Sequence, residues 1–245
     1  MSRAGPDDDW RATIAAGRAA LQEDPDNLAL VHDLAFEAAK HGWGPAETRA
    51  RFDEMWASID AGRGWVARRE RARVDAMVER LVAWIRDNPR DLVDVEVEVT
   101  AEVAGATVRG RLDRVDRDPD GGLVVVDFKT GTSAPKKADV EHNPQLGVYQ
   151  WAVKSGAVTG GDAGAPPVRG GMLVHLGIPG AATAKEQHQP ALDDTDDPTW
   201  PQTMVADVVT GVRRPLFAAL VNSGCGHCPV RSSCPAQPDG GRLLP

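Results

Sequence analysis

Two aspartates and a lysine, Asp113, Asp127 and Lys129, are the residues whose types and spacing point most sharply to chemistry. Between the aspartates lies Asp118-Pro119-Asp120-Gly121-Gly122, a run of turn formers. It predicts a β-hairpin pairing 107–117 with 123–129. Asp113 and Asp127 each stand seven residues from Asp120, so simple pairing sets them opposite one another. Opposed Cβ atoms in antiparallel strands are about 5 Å apart, and like charges at that separation oppose pairing. Asp127 also follows Leu123-Val124-Val125-Val126, which reads as a buried central strand where a carboxylate needs compensation. A hard divalent cation, Mg2+ or Mn2+, supplies it, since one or two carboxylates are the usual protein ligands of magnesium. Strand alternation puts Asp127 and Lys129 on one face. A metal, an ammonium and room for a phosphate at one spot is what phosphodiester hydrolysis needs to position water and neutralise charge. An isolated Asp-x-Lys is more often a plain ion pair, so the assignment depends on its surroundings.

The elements that must position these residues follow from periodicity. Residues 10–88 carry apolar side chains at helical spacing, for example Val74, Met77, Val78, Leu81, Val82 and Ile85, and Pro89 stops the pattern. Residues 92–103 alternate valines with acids, which predicts a half-exposed strand with Glu96, Glu98 and Glu102 outward; Glu98 is a candidate to reach a metal through water. After the hairpin, Asn143 as N-cap, Pro144 at the first position and Gly156 beyond the end frame a helix with Leu146, Tyr149 and Val153 inward. A Gly/Ala/Pro-rich loop (159–167), a strand (169–176), an edge strand (184–192), an acidic connector (193–198) and a closing helix (203–221) complete the chain. The expected class is α/β, with a helical N-terminal lobe (1–90), a core (91–222) and a cysteine-containing tail (223–245).

Three stretches together resemble the PD-(D/E)XK nuclease superfamily, and within it the RecB-like branch at the C-termini of bacterial helicase-nucleases. Gly110-Arg111-Leu112-Asp113-Arg114-Val115-Asp116 is similar to the first acidic motif, Val126-Asp127-Phe128-Lys129-Thr130-Gly131 to the second, and Gln145-Leu146-Gly147-Val148-Tyr149 to the downstream Gln-x-x-x-Tyr motif. Leu30-Val31-His32-Asp33-Leu34 resembles the early helix whose histidine completes the metal site. The resemblance implies a restriction-endonuclease-like mixed sheet flanked by helices. It also implies that His32, Asp113, Asp127 and the Phe128 carbonyl hold the metal, that Lys129 orients water, and that Gln145 and Tyr149 hold DNA or the lysine. The implied activity is Mg2+- or Mn2+-dependent DNA cleavage, as an exonuclease on single-stranded or duplex ends, in recombination or repair beside a helicase. The alternative is a nuclease-derived interaction module of such a complex.

The three cysteines fall within the last 21 residues, which excludes a secreted disulfide framework. Cys225-x2-Cys228-x5-Cys234-Pro235 resembles part of the iron-sulfur staple of AddB-type and CRISPR-associated exonucleases; its fourth cysteine has no counterpart here, so a [4Fe-4S] cluster, zinc with His227 as a ligand, or an empty site all remain open. The net charge of −8 argues against gripping nucleic acid by bulk charge and leaves that task to local arginine clusters. No stretch is apolar enough to span a membrane, and the acidic N-terminus is no leader, so a cytoplasmic protein is expected. There is no Gly-x-x-x-x-Gly-Lys-Ser/Thr loop, hence no ATPase motor in this sequence.

Overall fold

The computed structural model describes residues 29–57, 64–103, 105–158, 167–214 and 219–238. Three helices come first: α1 (Ala29–His41), α2 (Pro45–Trp56) and α3 (Trp65–Asp87). Then follow β1 (Asp91–Val103), β2 (Ala106–Arg117), β3 (Leu123–Lys129), α4 (Lys137–Glu141), α5 (Pro144–Ala152), β4 (Val168–His175), β5 (Lys185–Gln189) and α6 (Trp200–Val212). Residues 10–28, which the periodicity reads as helical, and 159–166 of the expected loop lie outside the described residues.

The sheet order is β1-β2-β3-β4-β5, antiparallel throughout except for the parallel β3–β4 pair. A parallel pair needs a crossover, and α4 and α5 supply it. Alternation along β3 feeds two cores. Val124, Val126 and Phe128 pack with Met77, Leu81 and Trp84 of α3 and with residues of α1 and α2, whereas Leu123 and Val125 pack with Leu112, Leu146 and Leu173. The mixed sheet is therefore flanked by helices on both faces, as expected. The predicted hairpin forms, its turn closed by Gly121 N–H to Asp118 O and Asp118 N–H to Gly122 O, both 2.8 Å.

Contacts divide the chain into two compact units, Met1–Gln202 and Thr203–Pro245. The closing helix begins at Trp200 and ends at Val212, earlier at both ends than the expected 203–221. Pro201 sits in its first turn, where its missing N–H costs nothing. In the second unit, short 3-10 turns span Ser223–His227 and Arg231–Ser233, and the Asn222 side chain caps the first by accepting from Gly224 N–H at 2.8 Å. No helix among the described residues is long and apolar enough to cross a membrane.

Candidate active site

Asp113, Asp127, Lys129, Gln145 and Tyr149 all hang on the β2–β3 hairpin or on α5. The β2–β3 ladder ends at Arg114↔Val126; one step further the register brings Asp113 against Asp127. There the Phe128 N–H finds a side chain instead of a ladder partner, donating to Asp113 Oδ2 at 2.8 Å. That bond draws the Asp113 carboxylate onto the backbone of the Asp-x-Lys segment. Burial pushes the Asp113 carboxyl above its ordinary range, opposed by the Phe128 N–H and by Lys129 and Arg111 nearby.

Asp127 and Lys129 share a face, as alternation requires. Lys129 Nζ lies 2.7 Å from Asp127 Oδ2 and donates to Gln145 Oε1 at 2.7 Å. Gln145 Nε2 in turn donates weakly to the Tyr149 hydroxyl at 3.4 Å. The two residues are neighbours on α5 because they are four apart, and α5 starts where the Asn143 side chain accepts from Leu146 N–H at 3.0 Å. Two glycines of the motifs have packing reasons. A Cβ at Gly110 would come within 3.0 Å of Tyr149 Cε1, and one at Gly147 would run into the Trp200 indole.

Some contributors are absent from the expectations. Glu96 is expected outward, but it adopts φ 52°, an uncommon conformation for a non-glycine residue, and the unshifted β1–β2 register between Val95↔Arg114 and Val97↔Leu112 sets it opposite Asp113. With Asp113 and Phe128 it lines a cavity of about 10 Å3, room for one water. Glu98 is exposed on β1, paired in register with Arg111. On α1, Asp33 has its pKa pushed up to about 6 by burial first and then by Glu96, with Arg111 opposing and Glu37 adding. His32 precedes it on that helix; its side chain lies outside the described residues.

His175 is the other unforeseen neighbour. It pairs in register with Lys129, is buried, and has Nε2 2.8 Å from Gln187 Oε1. Burial lowers its pKa, the Gln187 contact opposing. Gln189, two residues on, donates from Nε2 to the carbonyls of Val140 and Asn143 at 3.0 and 3.1 Å and so anchors the start of α5 to β5. Only the alternation of glutamines in a short edge strand hinted at these roles.

As a donor set, Asp113 and Asp127 fit a hard divalent cation: two oxygen ligands at a strand end beside a backbone carbonyl, with space left for substrate oxygens. Among the described residues, however, no group of three or more His, Cys, Asp or Glu side chains is arranged as a ready metal cage, either here or at the tail cysteines. Cys225, Cys228 and Cys234 are free thiols, half-buried in the second unit.

The family model of the PD-(D/E)XK nuclease superfamily matches residues 18–235. A solved structure titled "Crystal structure of SSO0001" is 18% identical, the match covering 84% of this chain and 85% of that one with a TM-score of 0.40. No curated protein matches the sequence.

Proposed function

The chain belongs to the PD-(D/E)XK nuclease superfamily, and from that premise we propose that it is a Mg2+- or Mn2+-dependent deoxyribonuclease of the RecB type. The observation that carries the reading is the linkage of Lys129 Nζ to both Asp127 Oδ2 and Gln145 Oε1, with Asp113 held on the adjoining Phe128 amide. Asp113, Asp127 and the Phe128 carbonyl, with His32, would hold the metal. When bound, it would acidify a water and neutralise phosphate charge. Lys129, kept in place by Gln145, orients the water and meets the charge developing on the phosphate. Tyr149 steadies Gln145 and fills the space above Gly110.

The finer parts of the proposal rest on the motifs. These are action on DNA ends in recombination or repair, a helicase partner, a cytoplasmic setting, and a soft-metal site, iron-sulfur or zinc, at Cys225, Cys228 and Cys234. End-labelled linear and circular DNA, single-stranded and duplex, incubated with Mg2+, Mn2+ or EDTA tests the central part. Linear substrates should be degraded with either metal and left intact in EDTA. Folded protein that cleaves nothing under any of these conditions would leave the interaction module as the better account.

A further inference from the structure

A groove of about 490 Å3 lies between α3 and the segments that follow β3 and β4. It is on the face of the sheet opposite the Lys129 side chain, since α3 packs on Val124, Val126 and Phe128 while Lys129 meets α5. One wall carries Arg69, Arg73 and Arg80, the other Thr132, Gly177 and Gly180. The groove sits at the carboxyl ends of the parallel strands, where open α/β sheets bind their ligands.

Its walls are fixed rather than loose. Arg80 is buried and donates from Nε to the Ala181 carbonyl at 2.9 Å and from Nη1 to the Leu176 carbonyl, so the helix holds the loop. Gly177 is pressed onto the neighbouring loop so closely that a Cβ there would lie 2.6 Å from the Gly131 oxygen. Leu176 N–H donates to the Lys129 carbonyl at 2.8 Å, so the catalytic strand and the groove wall share backbone.

The charge of the groove runs against that of the chain. The chain has 36 acids against 28 lysines and arginines, but the groove lining holds the three arginines and one acid, Glu70. Arg73 contacts Glu70 at a long 3.4 Å, and Arg69 is exposed with no carboxylate partner among the described residues. Arginine forks match phosphate oxygens, and a glycine wall lets a sugar-phosphate chain approach the backbone. Thr132 is three residues beyond Lys129, a span of at most about 10 Å, so one wall of the groove begins close to the end of the Asp127–Lys129 strand.

We propose that this groove holds the phosphate backbone of the DNA strand beyond the scissile phosphate, with Arg69 and Arg73 as its phosphate contacts. The inference rests on the nuclease reading of the Asp127–Lys129 centre for its direction, but its test does not need cleavage. Binding of a fluorescent single-stranded oligonucleotide of about 16 nucleotides is followed by anisotropy in EDTA, for the full-length protein and for the Arg69→Ala/Arg73→Ala double variant, with melting curves to match their folding. The double variant should bind about tenfold more weakly, and its salt dependence should be shallower by about 1.4, two contacts at about 0.7 each. Unchanged affinity and slope would overturn the proposal, as would displacement of the DNA by polyglutamate of equal charge, which would mark an acidic protein as the occupant. If the wild-type protein cleaves DNA while the double variant binds as tightly as it does, the groove falls and the nuclease reading stands. If binding depends on the arginines but nothing is ever cleaved, the reverse holds.

Discussion

The β2–β3 hairpin buries one ion pair on each face of the sheet. On the α3 face, Arg114 Nε meets Asp116 Oδ1 at 2.6 Å, with side chains 7% and 0% exposed. The second Asp116 oxygen accepts from Asn88 Nδ2 at 2.8 Å, and the guanidinium lies 5.3 Å from the Trp84 ring centroid, so the named partners of this pair are all internal. On the α5 face, Asp127 is equally buried at 2%, but its partner Lys129 keeps 35% of its side chain in solvent. A closed pair of this kind fastens β2 to the end of α3. A pair whose cation opens outward can meet an incoming phosphate. Burial of charge is thus poor evidence for function on its own, and the exposure of the partner distinguishes the two cases.

The comparison is sharpened most by Lys129→Ala, which should lower cleavage about 1000-fold while far-UV circular dichroism shows the fold retained. A variant retaining wild-type rates would put both pairs in the structural class. Asp116→Ala should do the opposite, leaving Arg114 buried and unpaired at a cost of about 3–5 kcal/mol in urea unfolding. A loss below about 1 kcal/mol would mean that the pair is not closed after all. Gly147→Ala, which presses α5 against Trp200, should cost about 1–3 kcal/mol, read from the same unfolding curves. For His32→Ala the expected effect is a Mn2+ requirement raised at least about tenfold, the smallest loss usual even for an outer partner of a metal ligand. An unchanged titration would return that histidine to the helix packing.

What was legible in the sequence was local. The hairpin declared itself through a five-residue turn between period-two strands, and α5 through Asn143-Pro144, so Asp113, Asp127, Lys129, Gln145 and Tyr149 could be placed before any coordinates. What escaped depended on strand register or on distant contacts. Glu96 belongs by alternation with Glu98, and it is the register of β1 on β2, which spacing does not give, that sets it opposite Asp113 beside the small cavity. His175, Gln187 and Gln189 matter because β4 and β5 bring them beside Lys129 and α5, a neighbourhood set by sheet order rather than by spacing. The closing helix starts at Trp200 rather than at the expected 203, with Pro201 in its first turn, where a proline is tolerated.

The central claim is that Asp127 sits in a chemical centre and not in a structural ion pair. Cleavage of end-labelled DNA by the wild-type protein and by Asp127→Asn, each with Mg2+ and with EDTA and each with its melting curve, tests it most directly. The account predicts metal-dependent cleavage by the wild type, none by Asp127→Asn, and melting temperatures within a few degrees of one another. Asp127→Asn that cleaves at near wild-type rates, or wild-type cleavage that persists in EDTA, would contradict it.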